Sequence, residues 1–300
     1  DNNTIIAARC ESSTSPGLCL YDEQHAQVSA SQFSQTTMGA GLHAISSDNL
    51  LISGNSAYNN SGAGFLLQDC ANAYVADNKI SCGTMYSGIE LATSSSCLVV
   101  GNSVASGYYG ISDSQGVGNV FTANTTSNQT MAQYAQYGAN SNTWRKNNLG
   151  SMMNSVYCDS AAAPLDFTNN WLGTTDSALI PTYFSSGSAA IQYIPYRLTV
   201  VDTAPGADTV APAVVTDLDG SVGGGLVSLE WSVPSLDEEG NGLSDLEGYH
   251  VWRTASGITM LAGISYSNRF DDSAVSHGTW YTYRVTAFDY APLINESWYS

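Results

Sequence analysis

An asparagine recurs along the first two-thirds of the sequence at a nearly constant spacing, and this repeat constrains the fold more than any other feature. The steps between successive members are 23, 24, 22, 23 and 23 residues. The repeated positions are Asn55, Asn78, Asn102, Asn124, Asn147 and Asn170. Internal similarity at a fixed period of this length is typical of a solenoid in which each repeat makes one turn.

A second series, in which a glycine precedes an apolar residue, keeps the same period. Its members are Gly17, Gly41, Gly64, Gly88 and Gly110, at steps of 24, 23, 24 and 22 residues. Apolar and polar residues alternate around both series, which predicts short β-strands with one face inward. The sequence therefore predicts a parallel β-helix with 22–24 residues per coil. Glycine, asparagine and serine would mark corners that need left-handed backbone.

The asparagine series is predicted to form a ladder inside this stack. A buried amide is tolerated when it is hydrogen-bonded, and an equivalent amide one coil away, at about 4.8 Å, supplies the partner. We therefore assign the six asparagines a structural role, with the apolar residues on either side filling the interior.

These repeats resemble the right-handed parallel β-helix of the pectate-lyase-like superfamily, and more narrowly the bacterial and archaeal parallel β-helix repeat proteins of the surface or secreted type. The stretch 169–196 is similar to the closing coil of that group. The resemblance covers roughly residues 1–200 and implies an all-β architecture. It implies no particular activity, because many unrelated chemistries use this fold.

The repeat ends before a Pro-bearing stretch, residues 201–212, which reads as a linker. Residues 213–300 then show alternating strands and resemble a fibronectin type III domain, a β-sandwich. In that resemblance Trp231 takes the core tryptophan position and Tyr281 the tyrosine-corner position. We expect two domains, 1–200 and 213–300, with the last strand of the second incomplete and the chain part of a longer protein.

Charge and composition exclude several function classes. The 26 acidic and 8 basic residues give a net charge of −18, which argues against binding to nucleic acid or to anionic lipid. No apolar run in the sequence is long enough for a membrane span. We predict an extracellular or cell-surface location for the chain. Six cysteines without metal-site spacing are compatible with disulfides, or equally with small buried residues in a repetitive core.

Few residues of the predicted solenoid offer catalytic chemistry. A polysaccharide lyase needs a basic residue beside acids that hold Ca²⁺, and an inverting glycosidase needs two carboxyl groups about 6.5–9.5 Å apart. The candidates are His43, Glu90 and Asp69. His43 and Glu90 are expected two coils apart with a leucine between them, so we interpret all three as solvated surface and favour a protein that is not an enzyme.

Two further sets of residues are candidates for binding. Tyr86 and Tyr108 both lie two positions before a series glycine, so they are predicted to stack on neighbouring coils with Tyr109 beside them. Such a platform could bind a sugar ring, although aromatic stacking could also just cover the turn. No cofactor is expected for the chain, and the acidic loop at residues 235–249 is interpreted as a solvated loop, with Ca²⁺ binding through its oxygen ligands as the alternative. Its candidate ligands are Asp237, Glu239, Asn241 and Asp245.

The sequence therefore predicts an extracellular structural or adhesive protein, a rigid β-helical rod for surface display, assembly or contact with glycans. Its expected partners are other surface proteins, copies of itself assembled into a filament, or polysaccharide. The alternative hypothesis is a polysaccharide lyase or glycoside hydrolase that acts on an extracellular acidic polysaccharide.

Overall fold

The computed structural model describes residues 2–138, 141–150, 156–159, 165–186, 190–204, 207–290 and 294–300. The chain divides into two compact units, of which the first is Asp1–Tyr196 with Thr203–Gly206 and the second is Arg197–Asp202 with Ala207–Ser300. The predicted linker, residues 201–212, falls where the chain alternates between the two units. In the described residues no helix has the length and apolar character needed to cross a membrane.

The first unit is built from short strands, most of three or four residues, and contains one 3₁₀ helix at Ile180–Tyr183 among its described residues. In chain order the strands are β1 Thr4–Ile6, β2 Arg9–Glu11, β3 Leu18–Tyr21, β4 Gln27–Ser29, β5 Gln32–Ser34, β6 Leu42–Ile45, β7 Leu51–Ser53, β8 Ser56–Tyr58, β9 Phe65–Gln68, β10 Tyr74–Ala76, β11 Lys79–Ser81, β12 Ile89–Ala92, β13 Leu98–Val100, β14 Ser103–Ala105, β15 Tyr109–Ser114, β16 Val120–Thr122, β17 Thr125–Ser127, β18 Ala132–Tyr137, β19 Thr143–Arg145, β20 Asn148–Leu149, β21 Val156–Asp159, β22 Leu165–Asp166, β23 Phe184–Ser186 and β24 Ile191–Gln192.

These strands form three parallel sheets, and successive strands of the chain belong to different sheets. The first sheet has the order β1-β4-β7-β10-β13-β16-β19-β22-β24, and the second has the order β2-β5-β8-β11-β14-β17-β20. The third sheet has the order β3-β6-β9-β12-β15-β18-β21-β23. Each turn of the chain adds one strand to the third sheet, so the unit is a parallel β-solenoid of about eight turns and of the right-handed type. The predicted β-helix is confirmed.

The asparagine series runs through the interior as a continuous ladder. The side-chain amide of Asn78 donates to Oδ1 of Asn102 at 2.9 Å, and that of Asn102 donates to Oδ1 of Asn124 at 3.0 Å. The same bond joins Asn55 to Asn78, Asn124 to Asn147 and Asn147 to Asn170. Each of these amides also donates to a backbone carbonyl of the preceding turn, such as that of Val75 for Asn102. Every member is therefore satisfied although it is buried.

Close packing between sheets, and not backbone conformation, explains the glycine series. A Cβ on Gly88 would lie 2.2 Å from Cγ1 of Val104 and 2.7 Å from the carbonyl oxygen of Gly110. The expectation of left-handed backbone at these glycines and at the ladder asparagines was wrong. Instead, the residue before each ladder asparagine has the positive φ: Gly54, Asp77, Gly101, Ala123, Lys146 and Asn169.

Along the stack, the inward side chains change from aliphatic to polar and aromatic. Leu20, Ala44, Leu67 and Leu91 occupy one inward position of the third sheet, and the next two strands place Asp113 and Gln136 there. Trp144 packs flat on Phe121 with ring centroids 3.7 Å apart, and its indole N–H donates to Oε1 of Gln136 at 2.8 Å. Of the alternatives for the six cysteines, the structure has free thiols, four of them buried.

The second unit contains longer, antiparallel strands: β25 Thr216–Gly223, β26 Leu226–Ser232, β27 Leu246–Ala255, β28 Ile258–Ser265, β29 Arg269–Asp272 and β30 Thr282–Asp289. They form two three-stranded sheets with the orders β25-β26-β29 and β28-β27-β30. The core includes Trp231, whose ring lies 5.1 Å from that of Tyr249. The fibronectin type III assignment stays a prediction.

One buried cation belongs to this second unit. The guanidinium of Arg197, which is 3% exposed, donates to Oε1 of Glu238 at 3.0 Å and to Oδ1 of Asn295 at 2.9 Å. It also donates to the carbonyl oxygen of Thr209 at 3.1 Å. Residues well before the sequence that resembles fibronectin type III therefore contribute to the packing of this unit.

Candidate functional site

Two exposed tyrosines lie next to each other just before the first residues of two central strands of the third sheet, where the chain enters this sheet from the second. Tyr86 precedes β12 and Tyr108 precedes β15, which are neighbouring strands. The backbone N–H of Tyr108 donates to the carbonyl oxygen of Tyr86 at 2.8 Å. The two residues are 44% and 37% exposed, so their rings are accessible to a ligand.

Two further tyrosines extend this aromatic surface along the sheet. The ring of Tyr109 lies 4.7 Å from that of Tyr108, edge to face, and 6.0 Å from that of Tyr137 on β18. The hydroxyl groups of Tyr137 and Tyr109 are hydrogen-bonded. Burial raises the pKa of Tyr109 above its usual value, so its hydroxyl stays protonated at neutral pH.

A carboxyl group lies beside the rings. Glu90 is on β12, where strand pairing places it between Leu66 of β9 and Ser112 of β15. Burial raises the pKa of Glu90, and a hydrogen bond with Ser87 opposes that effect. The hydroxyl of Ser87 is also 2.8 Å from that of Ser112.

Together these side chains line an open pocket of about 320 Å³, which we call the tyrosine groove. Its lining consists of Met85, Tyr86, Ser87, Glu90, Tyr108, Tyr109, Ser112, Ser114 and Tyr137. Aromatic faces beside a few fixed hydroxyl and carboxyl groups are the elements that bind sugar rings, whose faces are apolar and whose edges carry hydroxyls.

The other candidate residues of the solenoid do not converge on a common point. His43 on β6 and Glu90 on β12 are two strands apart, about 10 Å, with Leu66 between them. Asp69 lies in the turn after β9, where its carboxylate accepts hydrogen bonds from Thr93 and Gln68. Burial lowers the pKa of His43, so its imidazole is neutral at pH 7.

A cysteine, whose thiolate can bind metals, is paired with His43 across the third sheet. Strand pairing places His43 opposite Cys19 of β3, which is exposed. Nε2 of His43 is buried and has no hydrogen-bond partner among the described atoms. The pair provides one nitrogen and one sulfur donor.

The acidic loop of the second unit is arranged differently from the predicted ligand set. The carboxylate of Asp237 accepts hydrogen bonds from the backbone N–H groups of Glu239 and Asn241, which closes the loop on itself. Asp245 is instead grouped with Asp208 and Asp289, with carboxylate oxygens within 4.8 Å of one another. Burial is the main cause that raises the pKa of Asp245, and a hydrogen bond with Asp208 raises it further.

Sequence reasoning missed Tyr137 and Ser87 as groove residues. Tyr137 pairs with Ser114 of β15, and so it lies on the same outward face as the tyrosines of the preceding turn. The glycine series that identified that face stops at Gly110, and the pairing pattern puts Gln133 at the corresponding position in the next strand. Counting one further period from Gly110 would have placed Tyr137 on the third sheet.

Solved structures similar to this chain include a periplasmic alginate epimerase and two tailspike proteins. A double mutant of the periplasmic alginate epimerase AlgG is 16% identical over 66% of this chain and 50% of that chain, with a TM-score of 0.50. Tailspike protein 2 from the Escherichia coli O157:H7 bacteriophage CAB120 is 12% identical over 89% of this chain and 48% of that chain, with a TM-score of 0.37. The Dettilon tailspike protein is 11% identical over 91% of this chain and 64% of that chain, with a TM-score of 0.35. At these identities the likeness to AlgG, of which this chain spans half the length, shows the fold alone.

Among curated proteins, no sequence matches this chain significantly. A family model does match, that of NosD, described as a periplasmic copper-binding protein, over residues 1–157. The match covers the solenoid from its first turns to β21 and more than half of the 300 residues. The chain therefore belongs to the NosD family of exported β-helix proteins.

Proposed function

We propose that this protein is an exported, non-catalytic β-helix that binds a saccharide chain in the tyrosine groove. The observation that carries the proposal is the convergence of four tyrosines, Glu90 and serine hydroxyls in one open pocket on the third sheet. Neighbouring turns repeat at about 4.8 Å, close to the length of one sugar unit, so successive turns can contact successive sugars.

The composition of the groove favours binding over catalysis. Its lining contains a single carboxyl group, Glu90, and no lysine, arginine or histidine. A glycosidase needs a second carboxyl group, and a lyase needs a base together with a group that neutralises the uronate. Asp113 on the adjacent β15 is buried in the solenoid interior and does not supply the second group.

The second unit supports a role as a spacer module. Its two antiparallel sheets and the Trp231–Tyr249 core are compatible with a fibronectin type III fold. The hydroxyl of Tyr281 accepts a hydrogen bond from the backbone N–H of Ser276 at 2.9 Å, as a tyrosine corner does. Surface display, adhesion, and assembly with surface proteins or with copies of the chain stay predictions of the sequence.

The family is described as copper-binding, but no three His, Cys, Asp or Glu side chains converge in the described part of residues 1–157. The neighbouring residues Cys19 and His43 supply two donors, and no third His, Cys, Asp or Glu ligand in the described part of the chain joins them. The one cluster of three such ligands there, Asp208, Asp245 and Asp289, offers only carboxylate oxygens, which suit Ca²⁺ and not copper. An acidic cluster does not by itself make a site, so Ca²⁺ binding stays a prediction, and no function is assigned through either metal.

Binding of oligosaccharides before and after removal of the rings tests the proposal. Tyr86→Ala combined with Tyr108→Ala should weaken binding at least about tenfold, because two stacking faces are lost. Tyr74→Ala is the matched control, since Tyr74 is 42% exposed but lies on β10 of the first sheet. A double variant that binds as the unchanged protein does would contradict the proposal.

The competing hypothesis, a polysaccharide lyase or glycoside hydrolase, predicts products instead of complexes. Incubation with a panel of polysaccharides should release neither unsaturated nor new reducing ends. Product formation that is lost in Glu90→Gln would replace a binding function by a catalytic one at the same groove.

A further inference from the structure

The third sheet lacks positive charge on the face that carries the tyrosine groove. None of its strands β3, β6, β9, β12, β15, β18, β21 and β23 contains lysine or arginine. Its one histidine, His43, is held neutral at pH 7 by burial. The acidic residues of these strands are Glu90 in the groove, Asp159 farther along the stack and Asp113 in the interior. Above the pKa of Glu90, which burial raises, a ligand in the groove therefore meets negative charge without a counter-charge.

We infer that the groove selects uncharged saccharide chains and rejects polyuronates, with Glu90 as the residue that determines this specificity. The inference rests on the proposed saccharide binding and adds the class of saccharide. It differs from the acidic polysaccharide that the alternative hypothesis from the sequence gave as the substrate of an enzyme.

Geometry makes Glu90 the discriminating group. Its side chain shares the pocket with Tyr86, Tyr108 and Tyr109, so a sugar stacked on these rings lies next to the carboxyl group. A polyuronate carries a carboxylate on every unit, and no shift of the chain along the groove avoids this contact. Two carboxylates at close range in a partly dehydrated site repel each other, and bulk salt screens such a pair weakly.

An uncharged chain meets no such penalty. Its hydroxyl groups can donate to the Glu90 carboxylate and exchange hydrogen bonds with Ser114, while its C–H faces pack on the tyrosine rings. A hydrogen bond from a neutral donor to a carboxylate is stronger than one between neutral groups, so Glu90 favours hydroxyl-rich ligands while it disfavours anionic ones.

The test compares hexasaccharides of equal length by isothermal titration calorimetry: cellohexaose and N-acetylchitohexaose as neutral probes, and oligogalacturonate and oligomannuronate as anionic probes. We expect the unchanged protein to bind at least one neutral probe and to bind the uronates more weakly by about tenfold or more. Glu90→Gln should raise uronate affinity by about fivefold or more. It should lower neutral affinity, because a charge-assisted hydrogen bond to the carboxylate becomes one between neutral groups, so the preference for neutral probes falls.

Asp77→Asn is the control, because it removes an exposed carboxylate of the same solenoid in the turn between β10 of the first sheet and β11 of the second, away from the face that carries the groove. It should change neither affinity by more than about twofold. Uronate binding as tight as neutral binding, or an equal response to Asp77→Asn and Glu90→Gln, would overturn the inference. If uronates bind and that binding depends on Tyr86 and Tyr108, the proposed function survives and only the inferred specificity fails. If no saccharide binds, both fail.

Discussion

At the scale of single residues, Asp113 is an unusual feature of the solenoid interior. Its side chain is fully buried and takes a position that leucine or alanine occupies in earlier turns. The carboxyl oxygens accept hydrogen bonds from Nδ2 of Asn119 at 2.9 Å, from Nδ2 of Asn142 at 2.7 Å and from the N–H of Gly116 at 3.0 Å. Burial outweighs these bonds and raises its pKa from 3.8 to about 6.

We predict that Asp113 makes the first unit less stable as the pH rises from 4 to 7. The folded state holds this proton more tightly than the unfolded state, so the contribution to stability is complete below pH 4 and is lost as the pH rises through 6. A pKa rise of about two units corresponds to about 3 kcal/mol. Asp113→Asn should remove this slope in urea unfolding measured across the range. If the free energy of unfolding depends on pH in the same way in the unchanged protein and in the variant, the buried carboxyl group does not titrate as inferred.

At the scale of strands and turns, the glycine series fixes how closely the third sheet approaches the second. A methyl group on Gly88 would overlap Val104, and backbone on the next turn prevents it from moving aside. We predict that Gly88→Ala lowers the free energy of unfolding by about 1–3 kcal/mol, the usual range for overpacking.

Gly83→Ala is the control for this prediction. Gly83 lies in the turn before β12, does not need positive φ, and a Cβ there would have its nearest neighbour at 3.8 Å. Its effect should stay within about 0.5 kcal/mol in the same urea titration. If both variants lose the same free energy of unfolding, the flexibility of glycine, and not the close approach of the second and third sheets, explains the glycine series.

The same elements show what the sequence could and could not predict. Spacing alone placed Ile52, Val75, Val99 and Phe121 in one inward stack, because like positions must lie over one another when every coil has nearly the same length. It placed Tyr86 and Tyr108 on neighbouring turns for the same reason. The spacing did not identify Tyr137, because the turn that contains Tyr137 lacks the series glycine and has Gln133 in its place. The pocket depends on how side chains of three turns meet, which a period does not encode.

At the scale of the whole molecule, the boundary between the two units is not a single point in the sequence. Composition changes at the Pro-bearing stretch 201–212, whereas Arg197 already belongs to the second unit. Its contacts with Glu238 and Asn295 join residues 41 and 98 positions apart in the chain. A distant partner of this kind leaves no local pattern, which is why the sequence placed the boundary after Arg197.

We predict that Arg197→Met destabilises the second unit and leaves the solenoid unchanged. Removing the guanidinium takes away its hydrogen bonds to Glu238, Asn295 and the carbonyl oxygen of Thr209, and breaking a buried ion pair from one side costs about 3–5 kcal/mol. Hydrogen exchange with mass spectrometry should show reduced protection in peptides of β26, β27 and β30 and unchanged protection in those of β9 and β12. Arg269→Met is the matched control, because its ion pair with Glu230 is exposed and worth less than about 1 kcal/mol. Protection lost equally in β12 would show instead that the two units unfold together, and that the buried arginine stabilises both.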